Sequence, residues 1–274
     1  MVIAQIEQGV DSMLAECSSS RRSLVSVASG APGVTDSEAG IVLATSYLKG
    51  WKNVPLQDLL ESALGVPATI ENDVRMAALG EHWVGAARGV DDFVFLAIGT
   101  GIAAGIFANG KLIHGANWTA GEVGYMYVPG ATEEPARPGV PGSLERAIGG
   151  DGIPQKWFEA CKAERGSKNL TATEIFTRAS AGDPLAKSVL DHTAQLLAYA
   201  VYNISLVLDS SLFVLGGGIG VSMPLRDATE RVLDQYQEPS RPKLVVSSLG
   251  KDAQLMGAIR LALRKAQTRS QRRA

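Results

Sequence analysis

Apolar and polar positions along this chain repeat with two periods, and the switches between them mark out the elements. Val2, Ile3, Ile6, Val10, Met13 and Leu14 recur at three- and four-residue spacing, which predicts an amphipathic helix over 2–16. SLVSVASG (23–30) reads as a strand running into a turn, and GAPGVTD (30–36) as loop. PLQDLLESALG (55–65) predicts a helix with Pro55 near its first turn and Gly65 at its end, the usual asymmetry. A strand over 66–70 and a helix over 73–86 follow. Alternating strands and helices predict an α/β layer.

The pattern changes at residue 92. Phe93 to Ile98 predicts a strand ending in Gly99-Thr100-Gly101, and a second apolar run, Ile102 to Phe107, follows at once. Asn109-Gly110 fits a type I′ hairpin turn into 111–113, so a meander opens a second domain here. Residues 129–152, rich in Pro and Gly, read as loop, and from 151 the chain turns helical. Residues 184–209 hold a long, strongly apolar helix that should be buried. SLFVLGGGIG (211–220) is a strand feeding a glycine turn. A helix (224–236), a strand (243–247) and a closing helix (252–266) complete the pattern. The expected organisation is a small α/β domain over 1–90, completed by the C-terminal helix 252–274, and a large α/β domain over 91–251.

Composition narrows the function classes. The 274 residues are 46 % hydrophobic and 20 % charged with a formal net charge of −2, which fits a globular chain and gives no basic face for nucleic acid or a membrane surface. Cys17 and Cys161 are far apart, and His82, His114 and His192 are scattered, so neither a disulfide framework nor a metal motif is expected. No apolar run reaches the roughly 18 residues of a membrane span, and the N-terminus lacks a signal peptide's pattern. A cytoplasmic location is expected. Glycine, 30 of 274, is about 11 % against a usual ~7 %, and the excess clusters at 99–105, 139–152 and 216–220. Clustered glycine marks turns where a backbone approaches a ligand or bends sharply.

Four stretches carry candidate chemistry. In PATIENDVRMAALGE (67–81), Asn72 and Asp73 stand at a strand-to-helix corner. Such residues cap helices, and corners at the carboxyl ends of strands are also where α/β proteins bind ligands; both readings stand. In AIGTGIAAG (97–105), backbone N–H groups around Gly99, Thr100 and Gly101 suit a phosphate, or else form an ordinary glycine hairpin. In VLGGGIG (214–220), Gly216, Gly217 and Gly218 leave room for a flat ring, or serve as a flexible connection. GANWTAGEVGY and GSLERAIGG place Glu122 and Glu145 among glycines, where a carboxylate can accept two hydroxyls of one polyol or lie on the surface. Together the four describe a polyol phosphotransferase.

The stretches IENDVRMAALGE, IGTGIAAGIFANGKLIHGANWTAGEVGY, GSLE and VLGGGIG resemble, in order and spacing, the ROK family of bacterial sugar kinases and sugar-responsive repressors. The resemblance runs from about residue 3 to 264. It implies the actin-like, hexokinase-like (ribonuclease H-like) two-domain α/β fold, and a glucokinase-like, ATP- and Mg²⁺-dependent transfer of phosphate to a hexose or related sugar. It also implies Asp73 as catalytic base, acting as helix cap too, with Asn72, Glu122, Tyr125 and Glu145 around the sugar. Gly99, Thr100 and Gly101 match a phosphate loop, Gly216, Gly217 and Gly218 the adenosine turn, and a homodimer is implied.

Three departures from the family pattern qualify that expectation. The opening aspartate–glycine–glycine–threonine phosphate loop and its strands are missing, which leaves half the phosphate clamp absent and either exposes a sheet edge or leaves the small domain incomplete. The histidine of the family's Glu-x-Gly-His motif is Tyr125. The cysteine-rich zinc loop is replaced by ATEEPARPGVPGSLE (131–145), so a zinc-free site with a loop braced by prolines is expected. The alternative function is a non-catalytic sugar-binding regulator or remnant. No helix-turn-helix segment precedes the domain, so direct DNA binding is not expected.

Overall fold

The computed structural model describes residues 2–135, 140–161, 170–236 and 241–271. The chain opens with helix α1 (Val2–Glu16), then strands β1 (Val27–Ala31), β2 (Val34–Asp36), β3 (Ile41–Ala44) and β4 (Lys52–Val54). Helix α2 (Leu56–Leu64) leads to β5 (Ala68–Asn72) and α3 (Asp73–Val84). Leu56, Leu60 and Leu64 are the buried residues of α2, one per turn on the face the spacing predicts. Gly65 ends that helix at φ +70°, the left-handed cap that glycine makes cheap.

β1 and β5 pair in parallel, with Gly30 opposite Glu71 and Ala31 opposite Asn72. This pairing carries β5 two residues past the predicted end at 70, so the acid and amide of the corner begin inside a strand. The predicted loop over 30–36 is largely strand, because β2, β3 and β4 form a small antiparallel sheet. Three- and four-residue strands are too short to show alternation, so the sequence pattern misses them. Among the described residues β1 has no strand on its other side. Along that edge α1, β1 and the C-terminal helix border an apolar groove of about 810 Å³ that includes Val10, Met13, Val25, Leu255 and Ile259.

The second half begins with β6 (Phe93–Ile98), β7 (Ile102–Ala108) and β8 (Lys111–Leu112), an antiparallel meander. Asn109 and Gly110 both have positive φ, 51° and 69°, as the predicted type I′ turn requires. Helices α4 (Ser143–Ile148), α5 (Gly152–Cys161), α6 (Ala172–Ser180) and α7 (Pro184–Leu208) follow. α4 lies inside the stretch predicted as loop; six residues give too little periodicity to be read. Then come β9 (Leu212–Gly216), α8 (Gly217–Gly220), α9 (Met223–Leu233), β10 (Lys243–Val246) and α10 (Ala253–Gln271). The five-stranded sheet has the order β10-β9-β6-β7-β8.

This sheet is covered on both faces, which is why its central strands are apolar throughout. Val94, Leu96 and Ile98 of β6 pack with Phe213 and Leu215 of β9 into the core under α4–α7 and α9. Phe93 and Phe95 point the other way, with Leu212 and Val214, toward Ala77 and Ala78 of α3 and Ala253 of α10. Asp183 caps α7 by accepting N–H bonds from Leu185 and Ala186, and the helix buries twelve residues, as its apolar sequence predicts.

α3 and α10 meet backbone to backbone. A Cβ on Gly257 would stand 1.8 Å from the Met76 carbonyl oxygen, and one on Gly80 would stand 2.1 Å from that of Ala253. Neither atom is the end of a flexible side chain. Gly257→Ala should therefore destabilise by about 2–3 kcal/mol through overpacking, lowering Tm by roughly 5–10 °C in a calorimetric scan. Gly9→Ala, in α1 where nothing lies within 4 Å, should instead add up to ~1 kcal/mol from helix propensity.

Candidate functional site

The site grows from the corner where β5 becomes α3. Asn72 is the N-cap: its Oδ1 accepts from the N–H groups of Val74 (3.0 Å) and Arg75 (3.1 Å), and its Nδ2 donates to the Gly33 carbonyl (3.0 Å). Both ends of the Asn72 amide are thus engaged within the fold. Asp73 is the first helical residue and not the cap, a correction to the expectation that it serves as both. Its Oδ1 accepts the neighbouring Val74 N–H at 2.9 Å, and its own N–H and the Asn72 side chain also favour the charged form. Burial raises the Asp73 pKa above the ordinary carboxylate value, and the Val74 N–H and the Arg75 charge pull back only part of the way.

A buried network stands behind the corner. Arg75 is 3 % exposed and Glu71 is 4 % exposed, and Arg75 Nε donates to Glu71 Oε1 at 2.8 Å. The other guanidinium nitrogens donate to the carbonyls of Trp118 (3.0 Å) and Thr35 (2.8 Å). Glu71 Oε2 pairs with His114 Nε2 at 2.8 Å and accepts from Ser37 Oγ at 3.1 Å. Burial alone would raise the Glu71 pKa, but the His114 hydrogen bond and Arg75 bring it below the usual glutamate value. One guanidinium therefore joins β5, β2 and the 113–122 loop.

The two glycine turns meet because β6 and β9 are parallel neighbours, so both chains leave the sheet at the same edge. A Cβ on Gly99 would lie 3.9 Å from the Gly218 backbone nitrogen. Gly217 has φ +77°, and a Cβ there would stand 2.5 Å from the Ile98 carbonyl oxygen, while Gly218 has nothing within 4 Å. The 216–218 turn is thus tight on its inner side and open on its outer side. The Thr100 carbonyl accepts the Gly150 N–H at 3.3 Å, which seats the end of α4 against the other turn.

Gly101 links the turns to the acids. Glu145, in the first turn of α4, accepts the Ile102 N–H through Oε2 at 2.9 Å. Cβ atoms on Gly101 and Gly124 would stand 2.7 and 3.1 Å from that same oxygen, so the carboxylate lies between two glycine loops. Glu122 precedes the turn Val123–Tyr125. Its pKa is raised by burial, lowered in part by Arg75, and raised again by the charges of Glu145 and Asp73. Asp73, Glu122 and Glu145 therefore form one carboxylate cluster, and Tyr125, 52 % exposed, lies at its rim.

Tyr47, on the β3–β4 connection, completes the set and is not foreseen from the sequence. Its hydroxyl is 3.4 Å from the same Cβ position on Gly101. Its phenol pKa is raised by burial and then by Glu145, Asp73, Glu122 and Tyr125. The available signal was an aromatic residue in a polar loop, TSYLKGW (45–51), where binding residues concentrate. Arg75 and His114 are likewise missed, because a polar residue inside a helical or loop pattern reads as solvated until its partners are known.

The 131–145 loop is held, among its described residues, by polar contacts. Ser143 Oγ donates to the Thr132 carbonyl at 2.5 Å, and Arg146 donates to the Glu134 carboxylate (3.0 Å) and carbonyl (2.7 Å). Residues 136–139, and with them Pro138 of the expected proline brace, lie outside the described residues. Among the described residues no group of three or more His, Cys, Asp or Glu side chains could hold a metal ion, and no helix is long and apolar enough to cross a membrane.

Residues 2–265 match the family described as ROK family. A glucokinase from Halalkalibacterium halodurans is 31 % identical over 273 residues, covering 94 % of this chain and 82 % of its own length. The crystal structure of a ROK family glucokinase from Streptomyces griseus in complex with glucose and AMPPNP aligns with a TM-score of 0.73 at 27 % identity, over 93 % of this chain and 87 % of that one. A ROK family transcriptional regulator, described as a homologue of the E. coli MLC protein, aligns with a TM-score of 0.83 at 26 % identity, over 97 % of this chain and 69 % of that one. The actin-like fold, the corner acids and the paired glycine turns thus occur together in a chain that belongs to the ROK family.

Proposed function

We propose that this protein transfers phosphate from ATP to a hydroxyl of a neutral hexose or related sugar, in the manner of a glucokinase. The observation that carries the reading is Asp73: a carboxylate whose pKa is raised by burial and whose hydrogen bonds come from its own corner, grouped with two further acids beside the glycine turns. In this reading Asp73 accepts the proton of the attacking hydroxyl, a general-base role worth on the order of 10²–10⁴-fold. Glu122 and Glu145 accept hydroxyls of the sugar, and Tyr125 lies against its rim. Asn72 holds the corner through Oδ1 and one N–H of its amide, and the second N–H can donate to the sugar.

ATP would supply the phosphoryl group. The turn at 216–218, tight inside and open outside, fits an adenosine, and 99–101 fits a phosphate. No residue is assigned to Mg²⁺, which would arrive bound to the nucleotide. An ATP-dependent enzyme fits the cytoplasmic expectation, and the homodimer implied by the family resemblance is open to light scattering.

A coupled assay with Mg²⁺-ATP and a hexose panel tests the proposal; turnover of at least one hexose supports it. The absence of both turnover and sugar binding sinks it. A cluster of three carboxylates also repels anions, so a uronic acid or hexose phosphate should bind at least about tenfold more weakly than the parent hexose in calorimetry. A second reading, a non-catalytic sugar-binding regulator or remnant, is favoured by one observation: the transcriptional regulator aligns with the higher TM-score of the two structures, 0.83 against 0.73. Sugar binding without Mg²⁺-ATP binding would select that reading.

A further inference from the structure

Tyr47 is the side chain of the acid cluster that comes from the other side of the chain's fold. Asp73 starts α3, and Glu122 and Glu145 follow β8, but Tyr47 projects from the small β2–β3–β4 sheet. It is 63 % exposed, so packing does not explain its size. Its backbone N–H bonds Thr45 Oγ1 at 3.1 Å, which shapes the connection locally and leaves the phenol free to reach away. The phenol ends near Gly101, whose missing Cβ would touch Glu145 Oε2 (2.7 Å) on one side and the Tyr47 hydroxyl (3.4 Å) on the other. Glu145 is the first charge that the phenol feels, and Asp73 the second.

We propose that Tyr47 is a sugar-contacting, specificity-determining residue, whose hydroxyl shares one substrate hydroxyl with Glu145. The inference deepens the kinase reading and rests on its sugar site, though it does not require turnover. A phenol, protonated at neutral pH, donates a hydrogen bond. A carboxylate only accepts one. Between such a pair a substrate hydroxyl both gives and receives, so the site distinguishes that hydroxyl from a hydrogen atom.

The test is titration calorimetry without nucleotide, using the hexose of a panel that binds most tightly and its monodeoxy analogues, on wild type and Tyr47→Phe. One lost hydrogen bond predicts a Kd about 5–10-fold higher for the variant. With one monodeoxy sugar that loss should vanish, because variant and analogue remove the two ends of the same bond. Melting temperatures should coincide, as befits an exposed side chain. Wild-type Kd values in the variant for every sugar overturn the inference, and so does an equal loss with every analogue, which would mean a structural role. Failure of wild type to bind any hexose instead brings down the kinase reading itself and this inference with it.

Discussion

Asp73→Asn should abolish nearly all turnover, by about 10²–10⁴-fold, while sugar affinity and folding survive. The substitution keeps the shape and removes the proton acceptor. The helix start is unaffected, because the cap is Asn72 and the roughly 1 kcal/mol that a cap contributes is retained. The pH behaviour follows from the raised pKa of Asp73. A group whose folded pKa lies above its unfolded value stabilises the fold below the unfolded value, about 3.9, and loses that contribution as pH rises through the folded one. At neutral pH the ionised Asp73 therefore costs stability, and a neutral amide in its place does not. The variant should melt at or above the wild-type temperature at pH 7, and the wild-type rate should fall on the acid side at a pH above about 3.9. A parallel loss of sugar affinity and Tm would instead assign Asp73 a structural role.

Arg75→Met should be the most damaging single change behind the site. Removing one partner of a buried pair costs about 3–5 kcal/mol, or a drop in Tm of roughly 10 °C or more. Three segments lose their tie at once: the Glu71 carboxylate, the Thr35 carbonyl and the Trp118 carbonyl. Trp118 has φ +62°, a left-handed backbone that costs a side-chain-bearing residue about 1–3 kcal/mol. Its bond to Arg75 helps to hold it there, and Glu122 follows four residues later. Sugar affinity should therefore fall along with stability. Glu71 adds an acid signature. Its folded pKa is depressed, so its contribution is present above the unfolded value, about 4.3, and is lost as pH falls through the folded one. Without Arg75 that loss should begin at a higher pH. Adding Glu71→Leu should restore part of the stability, because it removes the stranded charge; denaturant melts of the two single variants and the double measure the coupling.

Long elements were legible in the sequence, and short ones were not. α7, α2 and the β6–β7 hairpin follow from period and turn chemistry alone, since each repeats its signal several times. β2, β3, β4 and α4 repeat theirs once or not at all, and their existence depends on partners distant in the chain. The acids at 73, 122 and 145 each read equally as a cap or a surface group, and only their combination with the glycine turns and the family resemblance pointed to one site. The division of labour at the corner was not legible: whether Asn72 or Asp73 caps the helix depends on the Gly33 carbonyl that fixes the Asn72 amide. Tyr47 and Arg75 were hidden for the same reason, since each gains its meaning from residues far away in the chain.

Among the described residues β5 is the one strand that pairs with β1, and that pairing bears on how binding and order are linked. A two-stranded sheet is marginal by itself, and β1–β5 carries both Asn72 and, through the turn after β1, the carbonyl that anchors it. Among the described residues Asn72 thus lies in a two-stranded sheet, while the glycine turns leave a five-stranded one. Local opening begins where fewest neighbours must be given up, so fraying there would loosen the Asn72–Asp73 corner before it reaches Glu122, Glu145 and the turns. A sugar held by both parts would resist that fraying by RT ln(1 + [L]/Kd), about 2.7 kcal/mol at a hundredfold excess over Kd. Substrate is in this sense a structural component of the weaker half.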